Sequence, residues 1–237
     1  MKDFLYKLFF AARAVYFKIK MLTTPTALTN NSAFDARSSS DIGELLPILF
    51  VMAKLQAPKT LLELGTRGGE STRALIKVCD LLGITGRSVD LSAAPAWLNE
   101  LENWNHFAAD DIAFGDKLAA EHIWPTGEKF EGIDFLFIDT SHEYKHTVQE
   151  ISTYWPLVNK GGLVVFHDTN LTHKPTWRLS RTLNWGWNNE RGVTRAIEEY
   201  LNVKIMEDQY YVALQSDEFS FLLNVPWNNG LLAIGKK

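Results

Sequence analysis

Four short strand-like segments, each with an acidic residue at or next to its end, constrain the fold of this chain more than any other feature. They are TLLEL at 60–64, RSVDL at 87–91, IDFLFID at 133–139 and GGLVVFHD at 161–168. Runs of this length, bounded by turn residues, predict buried strands. A weaker strand is expected at HFAAD, 106–110, and final strands at VKIME or the segment just after it and at GLLAIGKK. Helical spacing of apolar residues predicts helices over 69–82, about 143–158 and 193–201. DIGELLPILFVMAKL predicts a further helix, with Asp41 as its N-cap. Apolar strands alternating with amphipathic helices imply an α/β fold built on a mostly parallel sheet, covered by helices on both faces. Ligands of such sheets sit at the carboxyl ends of the strands. The residues that follow each strand are therefore the ones to read for function.

After the first strand comes Glu63-Leu64-Gly65-Thr66-Arg67-Gly68-Gly69-Glu70-Ser71. Glycines let the backbone turn tightly and approach a ligand. A dinucleotide fold favours G-x-G-x-x-G with a pyrophosphate on the next helix. Arg67 occupies the second glycine position here, and Glu63 is a poor neighbour for a pyrophosphate, although it suits a cationic or hydroxyl-bearing ligand. After the second strand, the Asp90 carboxylate can accept two ribose hydroxyls, or it can act as a cap. After the third, Asp110 and Asp111 are placed to hold an adenine amino group, or they are ordinary loop acids. The fourth strand ends in Asp139-Thr-Ser-His142-Glu-Tyr144, and the fifth in His167-Asp168-Thr-Asn170. If these strands are neighbours, Asp139 and Asp168 converge. Two converging carboxylates repel, and a divalent cation relieves the repulsion. The plain alternative is that each aspartate caps the segment after it. His146, further along the helix, reads as a solvated side chain.

A length of 237 residues suits one α/β domain with a short extension. With a net charge of -4 and a pI near 5.9, the chain lacks the basic balance of a nucleic-acid surface. The single cysteine, Cys79, permits no intramolecular disulfide and falls on the apolar side of a helix. Residues 1–20 mix five cations with aromatics. They are too interrupted for a signal peptide and too charged for a membrane span, so an amphipathic helix packed on its own domain or on a second subunit fits best. Membrane-surface contact is the lesser reading. A polar, turn-rich linker follows to residue 40, and the domain proper spans 41–237. A cytoplasmic location is expected.

The block LLELGTRGGEST resembles the nucleoside-binding motif of class I S-adenosylmethionine-dependent methyltransferases. FIDTSHEYKHTVQEISTYWPLVNKGGLVVFHDTN resembles one branch of them, the metal-dependent O-methyltransferases of macrolide-type sugars and the cephalosporin-hydroxylase-like proteins. The resemblance covers residues 41–236, including the closing GLLAIGKK. It implies a Rossmann-like, seven-stranded sheet with an antiparallel last strand. Glu63, Gly65, Thr66, Gly68 and Ser71 match the cofactor loop, and Asp90 matches the ribose acid. Asp139 and Asp168 match ligands of a divalent metal, Mg or Mn, and His142 matches a general base. Some relatives carry an acid where this chain has His167. That leaves His167 or Asn170 as the third ligand, favours Mn²⁺ or another transition metal over Mg²⁺, and makes His167 the substitute base. Tyr144 is placed toward the substrate.

The activity this implies is methyl transfer to a hydroxyl of a small molecule, a sugar or a natural-product scaffold. Residues 171–191 are long for a connection and suit a lid, with Trp177, Trp185 and Trp187 offering flat surfaces to a ring. They equally suit packing on their own domain. Rival readings are a non-catalytic nucleoside-binding or assembly protein, and an oxidoreductase or hydroxylase on the same sheet. A homo-oligomer is compatible with all of these.

Overall fold

The computed structural model describes residues 42–170, 175–177, 183–185, 191–207, 209–214, 217 and 219–237. The expected N-terminal helix, Asp41 and Trp187 lie outside them, as does most of the 171–191 segment. Of that segment, only a short antiparallel pairing of Pro175–Trp177 with Leu183–Trp185 is described.

The strands are β1 (Leu61–Leu64), β2 (Gly86–Asp90), β3 (Trp104–Ala108), β4 (Ile133–Ile138), β5 (Val158–His167), the short pair β6 and β7 just given, β8 (Tyr211–Leu214), β9 (Phe219–Val225) and β10 (Leu231–Lys236). The helices are α1 (Leu46–Gln56), α2 (Glu70–Leu82), α3 (Asp111–Glu121), α4 (Tyr144–Tyr154) and α5 (Gly192–Leu201). One eight-stranded sheet has the order β3-β2-β1-β4-β5-β10-β9-β8. Strands β1 to β5 pair in parallel. β10 pairs antiparallel with both β5 and β9, so β9 runs with the parallel set. The seven-stranded pattern with an antiparallel last strand is present, and β8 is added antiparallel at the edge. VKIME forms no strand, and β8 and β9 both follow it.

Side chains alternate along each strand and divide the core in two. Leu62, Leu64, Leu136, Ile138, Val164 and Phe166 pack on one face with residues of α3, α4 and α5. Leu61, Phe135, Phe137, Leu163 and Val165 pack on the other with α1 and α2, Cys79 among them. Helices therefore cover both faces. Helix α1 is preceded by a single 3-10 turn, Gly43–Leu45, and carries Pro47 in its first turn, where a missing N–H costs nothing.

From central β1 the chain winds outward through β2 and β3, then returns to the other side of β1 as β4 and β5. The crevice between the ends of β1 and β4 is therefore the switch point. At Gly65 (φ +87°) a Cβ would stand 2.1 Å from the Asp139 carbonyl oxygen, so only glycine lets the two loops approach this closely.

Candidate active site

The loop after β1 is held from below by Glu63, which is buried. Its two oxygens accept hydrogen bonds from Ser71 Oγ and Thr72 Oγ1, each 2.6 Å. Burial pushes its pKa up to about 8, against the opposing effect of the two hydroxyls. Glu63 thus engages the start of α2, not the open crevice. Asp90, at the end of β2, accepts from the backbone N–H groups of Thr66 and Arg67 on one oxygen (2.8 and 2.9 Å) and of Ser92 on the other (2.8 Å). Burial alone would raise its pKa, but these amides outweigh it and the carboxyl lies below its ordinary value. Each carboxylate oxygen has two lone pairs, so room remains for a hydroxyl ligand. The loop 65–71 and Asp90 form one unit, which His106 extends: its Nδ1 lies 3.0 Å from Ser88 Oγ and its Nε2 lies 3.0 Å from the Ser92 carbonyl. Gly69 passes over the Trp97 ring, where a Cβ would come within 2.4 Å.

Asp110 and Asp111 separate. Asp110 caps α3, accepting from the Ala113 N–H at 2.9 Å. Asp111 turns inward to His146, whose Nε2 lies 3.0 Å from its Oδ2. His146 is therefore not the solvated side chain that its place on the helix suggested. Tyr144 opens α4 and donates to Glu199, while the Arg195 guanidinium lies 4.1 Å above its ring. Its hydroxyl is thus engaged with α5. Trp177 and Trp185 lie on the β6–β7 pair, whose side chains are not described.

The residues after β4 and β5 do converge. His142 Nε2 lies 2.9 Å from Asp139 Oδ1 and 2.8 Å from Asp168 Oδ2. His167 Nδ1 lies 3.0 Å from Asp139 Oδ1 and 3.5 Å from Asp168 Oδ2. Both His142 (φ 58°) and Asp168 (φ 55°) occupy the left-handed region, which costs a non-glycine residue about 1–3 kcal/mol. The first turn of α5 holds both loops. A Cβ on Gly192 would meet the His142 carbonyl at 2.2 Å, and Thr194 Oγ1 donates to the Thr169 carbonyl at 2.6 Å. In these surroundings burial would raise both aspartates, but the charge and hydrogen bonds of the two histidines bring Asp139 down to about 2 and Asp168 far below its ordinary range. Burial would lower both histidines, but the carboxylates lift His142 to about 9 and hold His167 well above its ordinary value.

The donor set fits a divalent cation. Ligand atoms of Asp139, His142 and Asp168 lie within 4.8 Å of one another. Asp168 Oδ1, His167 Nε2 and Asn170 Oδ1 are buried without hydrogen-bond partners, while Asn170 donates its Nδ2 to the Pro226 carbonyl at 2.8 Å. Buried polar atoms left unpaired are costly unless something fills them.

A topology that brings a glycine loop, an acid at the end of β2 and a polar cluster to one crevice defines a methyltransferase-type α/β fold. The profile of a family described as "Methyltransferase domain" matches residues 62–169, a little under half of the chain. Among solved structures, the SAH-bound Podospora anserina methyltransferase PaMTH1 is 13% identical with a TM-score of 0.56, over 81% of this chain and 78% of that one. An O-methyltransferase from Bacillus cereus in complex with SAH is 15% identical with a TM-score of 0.53, over 92% and 97%. MycE of the mycinamycin biosynthetic pathway, in complex with Mg and SAH, is 17% identical with a TM-score of 0.54. That match covers 80% of this chain but 48% of MycE. At these identities the likeness is one of fold. A 37-residue stretch is 49% identical to the uncharacterized protein R132 of Acanthamoeba polyphaga mimivirus, covering 17% of that protein.

Proposed function

We propose that this chain is an S-adenosylmethionine-dependent O-methyltransferase acting on a hydroxyl of a small molecule, a sugar or natural-product scaffold, with a divalent cation as cofactor. The observation that carries the reading is the convergence of Asp139, His142, His167 and Asp168 beside the glycine loop at the switch point. Asp90 and the 65–71 loop bind the nucleoside, with Asp110, the cap of α3, beyond it, while Asp111 faces His146 instead. Asp139 and Asp168 hold the cation, with His167 or Asn170 completing the set. When bound, the cation acts as a Lewis acid that makes a nearby hydroxyl easier to deprotonate. His142, once its own proton is lost, would accept the hydroxyl proton as the oxygen bonds to the methyl carbon and the carbon–sulfur bond breaks, leaving SAH. Asp139 fixes the imidazole of His142 through the Nε2 contact.

The test is SAH production from S-adenosylmethionine with a panel of sugars, polyols and phenols, with and without EDTA. SAH release that requires an acceptor and is abolished by EDTA while SAH still binds supports the reading. Turnover by metal-free protein at the undiminished rate would leave the His142–Asp139 pair as the whole machinery and remove the cation. SAH binding without turnover on any acceptor would favour a nucleoside-binding protein.

A further inference from the structure

A second polar cluster lies between α3 and α4. Asp111, the first residue of α3, brings Oδ2 to 3.0 Å from His146 Nε2, and Glu150 Oε1 lies 3.7 Å from the same nitrogen. His146 and Glu150 are four residues apart on α4 and so share one face. Glu150 is 1% exposed. Its Oε1 accepts from Thr140 Oγ1, while its Oε2 is buried with no donor beside it, its neighbour in the cluster being the Asp111 carboxyl. The ligand atoms of the three residues lie within 4.8 Å of one another.

Charge makes this arrangement unusual for a purely structural cluster. One imidazolium can neutralise one carboxylate, so two buried carboxylates leave a negative charge over, and burial makes that charge costly. A cation would balance that charge and would also give Glu150 Oε2, which has no donor beside it, a positive partner. Nitrogen and oxygen ligands stand about 2.0–2.2 Å from Zn²⁺, so neighbouring donors are about 3–3.5 Å apart. The two contacts of His146 Nε2 bracket that spacing. One imidazole with two carboxylates suits a transition-metal dication better than the all-oxygen shells of Mg²⁺ or Ca²⁺.

We propose that Asp111, His146 and Glu150 form a binding site for a divalent transition-metal ion, separate from the cluster at the ends of β4 and β5. An ion there joins α3 to α4 and, through Thr140, steadies the loop that carries Asp139 and His142. The proposal uses no residue of the first cluster and does not depend on methyl transfer.

The test is equilibrium dialysis of the full chain against Zn²⁺, for the wild type, His146→Gln, Asp111→Asn and the double variant Asp139→Asn/Asp168→Asn, with folding checked by circular dichroism. The double variant is expected to keep a Zn²⁺ that both His146→Gln and Asp111→Asn lose, their affinity for it falling at least about 10-fold. Co²⁺ should show visible ligand-field bands in the double variant that disappear when His146→Gln is added. Equal Zn²⁺ stoichiometry in the wild type, His146→Gln and Asp111→Asn overturns the proposal. So does a folded Asp139→Asn/Asp168→Asn variant that binds no Zn²⁺. Loss of the first cluster's ion alone leaves the second site standing and counts only against the cation in the methyl-transfer reading. Should His146→Gln not fold, Asp111→Asn decides, because an amide keeps a hydrogen bond to His146.

Discussion

Glu63, expected from the sequence to suit a cationic or hydroxyl-bearing ligand, is buried against Ser71 and Thr72. Its carboxyl is raised to about 8 because burial disfavours the charge. A group whose folded pKa exceeds its unfolded value stabilises the fold fully below the unfolded pKa, near 4.5, and that contribution is lost as pH rises through about 8. Glu63→Gln should therefore melt with less pH dependence than the wild type between about pH 5 and pH 8, measured by thermal unfolding at low ionic strength. Glu150 contributes in the same direction and remains in both proteins, so the difference between them isolates Glu63. An identical pH slope in both proteins would show that Glu63 is ionised in the fold. At His142 the expected change is kinetic. His142→Ala should retain SAH binding and lose about 10²–10⁴-fold in rate, read by single-turnover SAH formation. On the proposed reading, with His167 as the third ligand, this residue tunes which cation is held. An imidazole beside two carboxylates favours Mn²⁺ over Mg²⁺, and His167→Glu should reverse the preference in activity measured with each ion.

At the scale of elements, the strands were legible because buried parallel strands read as continuous apolar runs, and β1, β4 and β5 are such runs. Their terminal acids were legible because the parallel strands β1 to β5 bring their carboxyl ends to one edge. Helix α3 was not legible. Gly115 interrupts its interior, and a Cβ there would meet Thr153 Cγ2 at 2.5 Å and Tyr154 at 2.8 Å. The glycine that weakens the helical signal is the residue that lets α3 lie against α4. Without that helix in view, Asp110 and Asp111 looked like one acidic loop, and the pairing of Asp111 with His146 across 35 residues had no local sign. The loops after β1 and β4 behave as one element. Gly65→Ala should separate them, because its Cβ would stand 2.1 Å from Asp139 O in a left-handed backbone. SAH affinity measured by calorimetry should then fall together with metal affinity. Retention of both would show that the loops are independent. In contrast, Leu136→Ala in β4 should cost about 2–5 kcal/mol in denaturant unfolding, the usual range for a buried leucine, with ligand affinity changed little.

At the scale of the molecule, the two-faced core accounts for why the crevice can carry strained, charged residues. Left-handed His142 and Asp168 and the unpaired buried polar atoms stand on a sheet whose strand β4 and the carboxyl half of β5 are buried on both sides. Among the described residues, no helix is long and apolar enough to cross a membrane. The order of strands has a further consequence. β10 lies between β5 and β9, yet it is synthesised after both. A chain emerging from the ribosome reaches residue 230 with two strand edges facing a gap one strand wide. The parallel half can collapse early, but the sheet stays split until residues 231–236 arrive to bridge it. Contacts of such long range slow folding and leave edges open to wrong partners. Nascent chains arrested before β10 should therefore be cleaved by protease within β8–β9 and recruit chaperones. Chains arrested after β10 has cleared the exit tunnel should resist cleavage there.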